Sequence, residues 1–179
     1  MSFFCCYSNT VQSNPEPYAT FPSYTSAGVT FTDSTSVLAG VQTFKTLPCL
    51  SGIGGKRERS DVDWCHTAWR EAVEELIGVV PSIRLLTNIR SSIRSDSVID
   101  RSGYIMIRCT FKDLEIFLRL CKAEGISSPY YKTLPRTVAE LVLNRVPTVQ
   151  GEIGALALLP LRPLPLIIDK QFQGDLRTL

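Results

Sequence analysis

The stretch Arg70-Glu71-Ala72-Val73-Glu74-Glu75-Leu76 concentrates more potential chemistry than any other part of this 179-residue chain. On a helix, Glu71, Glu74 and Glu75 stand at i, i+3 and i+4, so their carboxylates share one patch. Three like charges there repel one another and weaken the helix unless positive charge sits among them. A hard divalent cation that prefers oxygen ligands, Mg²⁺ or Mn²⁺, is the natural partner. Arg70 carries a permanent charge on a planar fork, suited to holding one carboxylate in a fixed rotamer. The plainer reading of the same residues is a solvated acidic face answered by Arg70 and nearby lysines.

Composition closes several other routes. Lys plus Arg exceed Asp plus Glu by only two (19 against 17), so no global field marks a nucleic-acid binder. His66 is the single histidine, which excludes a zinc site built on several histidines. Ser51 and Ser60 lack a plausible His–acid pair, so serine hydrolase chemistry is set aside. The six cysteines, Cys5, Cys6, Cys49, Cys65, Cys109 and Cys121, include no C-x-x-C pair, removing a zinc knuckle and a dithiol redox motif. Gly52, Gly54 and Gly55 do not make a P-loop, because Lys56 is followed by Arg57. No apolar run approaches the ~18 residues of a membrane span, so no membrane association is expected. The opening MSFFCCYSNT lacks the basic and long apolar regions of a secretory signal. A cytoplasmic location with reduced thiols is therefore expected, with Cys5 and Cys6 read as a loosely packed terminal pair rather than a lipidation site.

The elements that must position the acidic patch follow from periodicity. Residues 1–25, broken by Pro15, Pro17 and Pro22, read as an irregular N-terminal arm. Ala27–Thr32 and Ser36–Gln42, separated by Asp33-Ser34-Thr35, read as a β-hairpin. Residues 47–59 read as a glycine-bearing loop. Ser60 or Asp61 then N-caps a helix running to about Ile77, with Val62, Cys65, Ala68 or Trp69, Ala72 and Leu76 facing inward. Gly78 stops it and Pro81 follows. Residues 83–89 and 103–111 read as strands. Lys112–Ala123 and Arg136–Arg145 read as helices, and Glu152–Leu161 as an apolar strand. This order predicts an α/β (α+β) single domain, a mixed β-sheet sandwiched between helices, over residues 26–168, with a C-terminal tail at 169–179.

Ile53-Gly54-Gly55-Lys56, Asp61 and Arg70-Glu71-Ala72-Val73-Glu74-Glu75-Leu76-Ile77-Gly78 together resemble the Nudix box, G-x5-E-x7-R-E-U-x-E-E-x-G-U, where U is a bulky aliphatic. The hairpin and the segment from Glu152 through LALLPL are similar to flanking strands of that family, so the resemblance covers roughly residues 27–161. The chain departs from the pattern in four ways. Aspartate replaces the first glutamate, eight residues rather than seven precede Arg70, Ala72 is small for its position, and Ile77 is inserted before Gly78.

The resemblance implies a metal-dependent hydrolase that cleaves a pyrophosphate in a nucleoside diphosphate linked to another moiety. It implies that Glu71, Glu74 and Glu75, with the Gly55 carbonyl, ligate Mg²⁺ or Mn²⁺. It further implies that Arg70 orients the glutamates, that Asp61 pairs with Arg70, and that Glu152 is a base or further ligand. Lys56 is placed to meet a substrate phosphate. Arg84, Arg90, Arg94, Arg101, Arg108 and Lys112 give a local basic surplus that a phosphate-rich ligand, including RNA, can use, with Arg108 a candidate substrate contact. The insertion before Gly78 is similar to viral Nudix proteins, which makes removal of an mRNA cap a rival reading, in the host cytoplasm if the source is viral. A non-catalytic nucleotide- or RNA-binding module is a third, and a homodimer is left open.

Overall fold

The structure, a computed structural model, describes residues 23–42, 49–95, 97–148, 152–162 and 168–177. Cys5, Cys6 and all but the last three residues of the expected N-terminal arm lie outside them. Among the described residues, seven strands and five helices form one α+β domain, a mixed sheet with helices on both faces.

The hairpin is as expected. Strands β1 (Ser26–Thr32) and β2 (Ser36–Gln42) meet with Thr32 opposite Val37. The turn is held by the Asp33 carboxylate, which accepts from the Thr35 and Ser36 amides at 2.7 Å each. Beyond the turn the two strands take different partners. The segment expected as a loop at 47–59 supplies two short strands, β3 (Cys49–Ser51) and β4 (Ile53–Lys56), separated only by Gly52. β3 pairs antiparallel with β2, and β4 pairs antiparallel with β1. One short piece of chain thus crosses from one half of the sheet to the other. It sets Gly54 opposite Gly28 and Gly55 opposite Ala27.

Helix α1 (Trp64–Ile77) starts later than expected, because Asp63 and not Ser60 or Asp61 is its N-cap, accepting the His66 amide at 2.8 Å. Val62, expected to face inward, precedes the helix and is 76% exposed. At the other end Gly78 adopts φ 84°, and its N–H returns to the Glu74 and Val73 carbonyls. A Cβ in that left-handed conformation would be strained, which is why glycine stands there. Cys65, Ala68, Trp69, Ala72, Val73 and Leu76 are buried along one stripe, as the periodicity requires.

Residues 83–89 are a correction. They form the first part of α2 (Ile83–Ser92), capped by Ser82, whose hydroxyl accepts the Leu85 amide at 3.0 Å. Leu85, Leu86 and Ile89 suit one helical face as well as a buried strand, and the cap decides between them. The strand partner of β6 (Tyr104–Thr110) is instead β5 (Ser97–Arg101), antiparallel to it, while β6 runs parallel to β1. Helix α3 (Phe111–Ala123) begins at a Thr110–Asp113 capping box. Short helix α4 (Val138–Leu143) and strand β7 (Ala155–Pro160) follow, β7 pairing antiparallel with β2.

The main core joins α1 and α3 to the sheet, with Phe31, Trp69 and Phe117 in mutual ring contact at 6.1–6.3 Å. Alternation along β2 sends Leu38 into that core. Val37 and Ala39 go to a smaller one, closed by Phe172 and Leu176 of α5 (Lys170–Leu176) within the expected C-terminal tail. Among the described residues no helix is long and apolar enough to cross a membrane.

Candidate active site

Arg70 is the hub around which the acidic side chains arrange themselves. It is 5% exposed, so its charge needs compensation. Four of the five N–H groups of its guanidinium donate hydrogen bonds. Nε donates to Asp61 Oδ1 and Nη2 to Asp61 Oδ2, both at 3.0 Å, a bidentate pair. Nη2 also donates to the Lys56 carbonyl at 2.8 Å, which ties β4 to α1. Nη1 lies 2.9 Å from Glu74 Oε2 and 3.0 Å from Glu71 Oε1.

Asp61, 3% exposed, is saturated as well. Besides Arg70 it accepts from the Thr67 hydroxyl at 2.8 Å and from the Glu58 amide at 2.8 Å, and it meets His66 Nδ1 at 2.9 Å. Burial alone would raise its pKa. The bonds from Arg70, then from the Glu58 amide, Thr67 and His66, more than reverse that and hold the carboxyl far below the ordinary range. Because this carboxylate can only accept, His66 donates from Nδ1, which fixes its tautomer and leaves Nε2 pointing elsewhere. Thr67 extends the network to the Tyr24 hydroxyl, 3.1 Å away.

The three glutamates of α1 do not share one patch evenly. Glu74 is turned to Arg70, Glu71 lies between Arg70 and β4, and Glu75, one turn further on, faces β4. The Glu75 Oε2 accepts the Gly54 amide at 2.8 Å. The Glu71 carboxylate lies on Gly55 in the space that a Cβ there would fill, so α1 and β4 approach this closely only because residue 55 has no side chain. Glu152, exposed and one residue after an undescribed stretch, lies near enough for its charge to act on both Glu71 and Glu75.

These carboxyls are poorly compensated. Burial pushes the Glu71 carboxyl up to about 7, against the pull of Arg70, with Glu74 and Glu152 adding to the rise. Burial also raises Glu75 well above the ordinary value, opposed by the Gly54 N–H and by Arg145, and reinforced by Glu71 and Glu152. Glu74 is raised by burial despite Arg70. Among the described residues no three Asp, Glu, His or Cys side chains are gathered closely enough to enclose a metal ion. The donor set around Gly55 is nonetheless all oxygen and carries excess negative charge, which suits a hard divalent cation rather than a soft one.

Of the two candidate substrate contacts, Lys56 ends β4 beside Arg70 with its side chain exposed. Arg108 is not brought to the carboxylates. It lies on β6, two strands from Gly55, and alternates with the core residues Ile107 and Cys109, so it faces away from α1. The expected basic stripe is dispersed too. Arg84 faces Glu124 at 3.7 Å, Arg90 pairs with the α1 cap Asp63 at 2.6 Å, and Arg101 donates to the Gly174 carbonyl. Trp64 and Trp69 are both buried, which leaves neither as a stacking surface.

Two contributors went unseen in the sequence. Thr67 sits one residue after His66 on the helical turn that faces Asp61, a position legible once Asp61 is known to be buried. Arg145, 6% exposed, donates from Nη1 to the Leu76 carbonyl at 3.1 Å and from Nη2 to the Ile153 carbonyl at 2.9 Å. Backbone acceptors leave no sequence signature. No protein-family model matches this chain, and no curated protein matches it either.

Proposed function

We propose that this chain is a Nudix-type hydrolase that uses Mg²⁺ or Mn²⁺ to cleave a phosphoanhydride in a nucleoside diphosphate linked to another group. The observation that carries the reading is the under-compensated pair Glu71 and Glu75 packed on Gly54 and Gly55, with Glu152 adding negative charge. A folded protein gains nothing from holding such carboxyls together unless a cation relieves them. Glu71, Glu75 and Glu152 would hold the ion, with the Gly55 carbonyl and Glu74 as further oxygens. A bound divalent ion supplies charge neutralisation for the phosphates and makes water easier to deprotonate.

The chain's own residues supply the rest. Arg70 and Asp61 lock α1 to β4, so Glu71 and Glu75 are presented from a rigid helix and not from a loop. Attack of water on phosphorus releases a proton and breaks the bond to the bridging oxygen. Glu152, exposed at the edge of the cluster, is the candidate to take that proton. Lys56, Arg57 and Arg59 form an exposed basic lip between β4 and α1, with the Arg57 guanidinium 4.7 Å over the Tyr24 ring. That lip suits a polyanionic substrate and is the feature that favours capped RNA as the second reading.

The test is incubation with Mg²⁺ or Mn²⁺ and a mixed panel of nucleoside triphosphates, dinucleotides, nucleotide sugars and cap-labelled RNA, with products identified by mass. Metal-dependent release of a nucleotide that Glu71→Gln and Glu75→Gln abolish is expected. A labelled cap left untouched while a nucleotide is consumed ends the capped-RNA reading, and no consumption of any substrate contradicts both.

A further inference from the structure

We infer that Arg145 is a positioning residue that clamps the turn carrying Glu152 against the C-terminal end of α1. Arg145 is buried, yet among the described residues no carboxylate lies within ion-pair distance of it, and its Nε has no partner. Burying a guanidinium without a counter-ion is expensive, so its neighbours must supply negative potential in another form. They do so in three ways.

The Leu76 carbonyl belongs to the last turn of α1, where the helix dipole favours a cation. The Ile153 carbonyl belongs to the approach to β7. The guanidinium also lies 4.0 Å over the Tyr130 ring, and Tyr130 is itself fixed by the Val146 amide donating to its carbonyl at 2.9 Å.

The two carbonyls are not arbitrary ones. Leu76 directly follows Glu75, and Ile153 directly follows Glu152. One rigid fork therefore sets the separation of the peptide groups next to both carboxylates, from segments 77 residues apart. Arg145's charge also acts directly on Glu75. A lysine keeps the charge but, as a point donor, cannot bridge both carbonyls with fixed geometry. The backbone around Glu152 then rests on the Gly154 amide to Val41 carbonyl bond at 3.0 Å and the Thr148 amide to Gly154 carbonyl bond at 3.1 Å.

The assignment rests on the proposed metal reading only for its functional consequence, so it is tested with and without metal. In metal-free protein, Arg145→Lys and Arg145→Met are expected to speed amide hydrogen exchange at Gly154 and Thr148 by about tenfold or more, with amides 68–73 of α1 unchanged. With Mn²⁺, Arg145→Lys and Glu152→Gln should each weaken binding about tenfold, and the double variant should bind no more weakly than either alone. Unchanged exchange at Gly154, equal loosening of α1, or losses that multiply in the double variant would overturn the clamp. Wild-type protein that takes up no Mn²⁺ contradicts the metal reading instead, and the exchange result alone then decides on Arg145.

Discussion

Asp61 and Glu71 are both held by Arg70, and they end in opposite electrostatic states. Asp61 collects five hydrogen-bond contacts, two of them from the guanidinium fork, and stays ionised under all but strongly acid conditions. Glu71 shares one Arg70 nitrogen with Glu74, faces two further carboxylates, and retains its proton up to about 7. The difference is one of compensation, not of burial alone. Where every lone pair is answered, a buried ion pair fixes helix to strand. Where negative charge exceeds its partners, the fold keeps a cluster that only a further cation can satisfy. The first half of the site is scaffold and the second half is where chemistry is expected.

The sharpest way to break this contrast is on the scaffold side. Asp61→Ala leaves Arg70 buried without its main partner, a loss of about 3–5 kcal/mol. Thermal unfolding should fall by about 10 °C or more, and activity should disappear with the fold. On the other side, Glu75→Gln should lower turnover by at least about 100-fold while the melting temperature holds or rises, since a neutral amide avoids the burial penalty. If Glu75→Gln unfolds the protein and Asp61→Ala does not, the two halves have been assigned the wrong way round.

Thr67→Val is a finer probe, because it removes one donor to Asp61 without changing volume much. A bond to a charged group is worth about 1.5–3 kcal/mol, so a drop of roughly 5 °C with near-normal turnover per folded molecule is expected. A loss of turnover without a loss of stability would place Thr67 in the chemistry.

The smallest effect is in the pH dependence of stability. An ordinary unfolded glutamate titrates near about 4.3. Below that pH both states hold the Glu71 proton and it contributes nothing. Between there and about 7 the unfolded chain releases the proton while the folded chain keeps it. Metal-free protein should therefore lose stability as pH rises through that window, with Glu74 and Glu75, raised by burial as well, adding to the fall. Asp61 has the opposite sign. Its contribution is complete above the ordinary aspartate value of about 3.9 and is lost only in stronger acid. Melting temperatures in chelator should show this slope, and Glu71→Gln should reduce it. A slope unchanged in Glu71→Gln would mean that the cluster is already compensated.

Much of the scaffold could be read from local pattern. The β1–β2 hairpin, the apolar stripe of α1, its stop at Gly78 and the amphipathic face of α3 are all set by residues near in sequence. The misread strand at 83–89 shows the limit of that approach. Leu85, Leu86 and Ile89 fit either period, and the deciding signal was Ser82 after Pro81, a cap easily taken for part of a loop. The β3–β4 crossing was hidden for a different reason, since each piece is only three or four residues long and is defined by its partners. The carboxylate spacing pointed to the site, but spacing cannot say which way each side chain turns. Arg70 draws Glu71 and Glu74 to one nitrogen while Glu75 turns to the Gly54 amide, and Arg145 acts through carbonyls 69 and 8 residues away.

Calorimetric titration of Mn²⁺ into wild-type protein and Glu71→Gln near pH 7, in buffers of differing ionisation heat, decides whether the crowded carboxyls exist to hold a cation. Wild-type protein is expected to bind the ion with release of protons from the crowded carboxyls. Glu71→Gln, at least as stable, should bind about tenfold or more weakly and release fewer protons. Identical uptake by the two proteins, or none by either, would contradict that role.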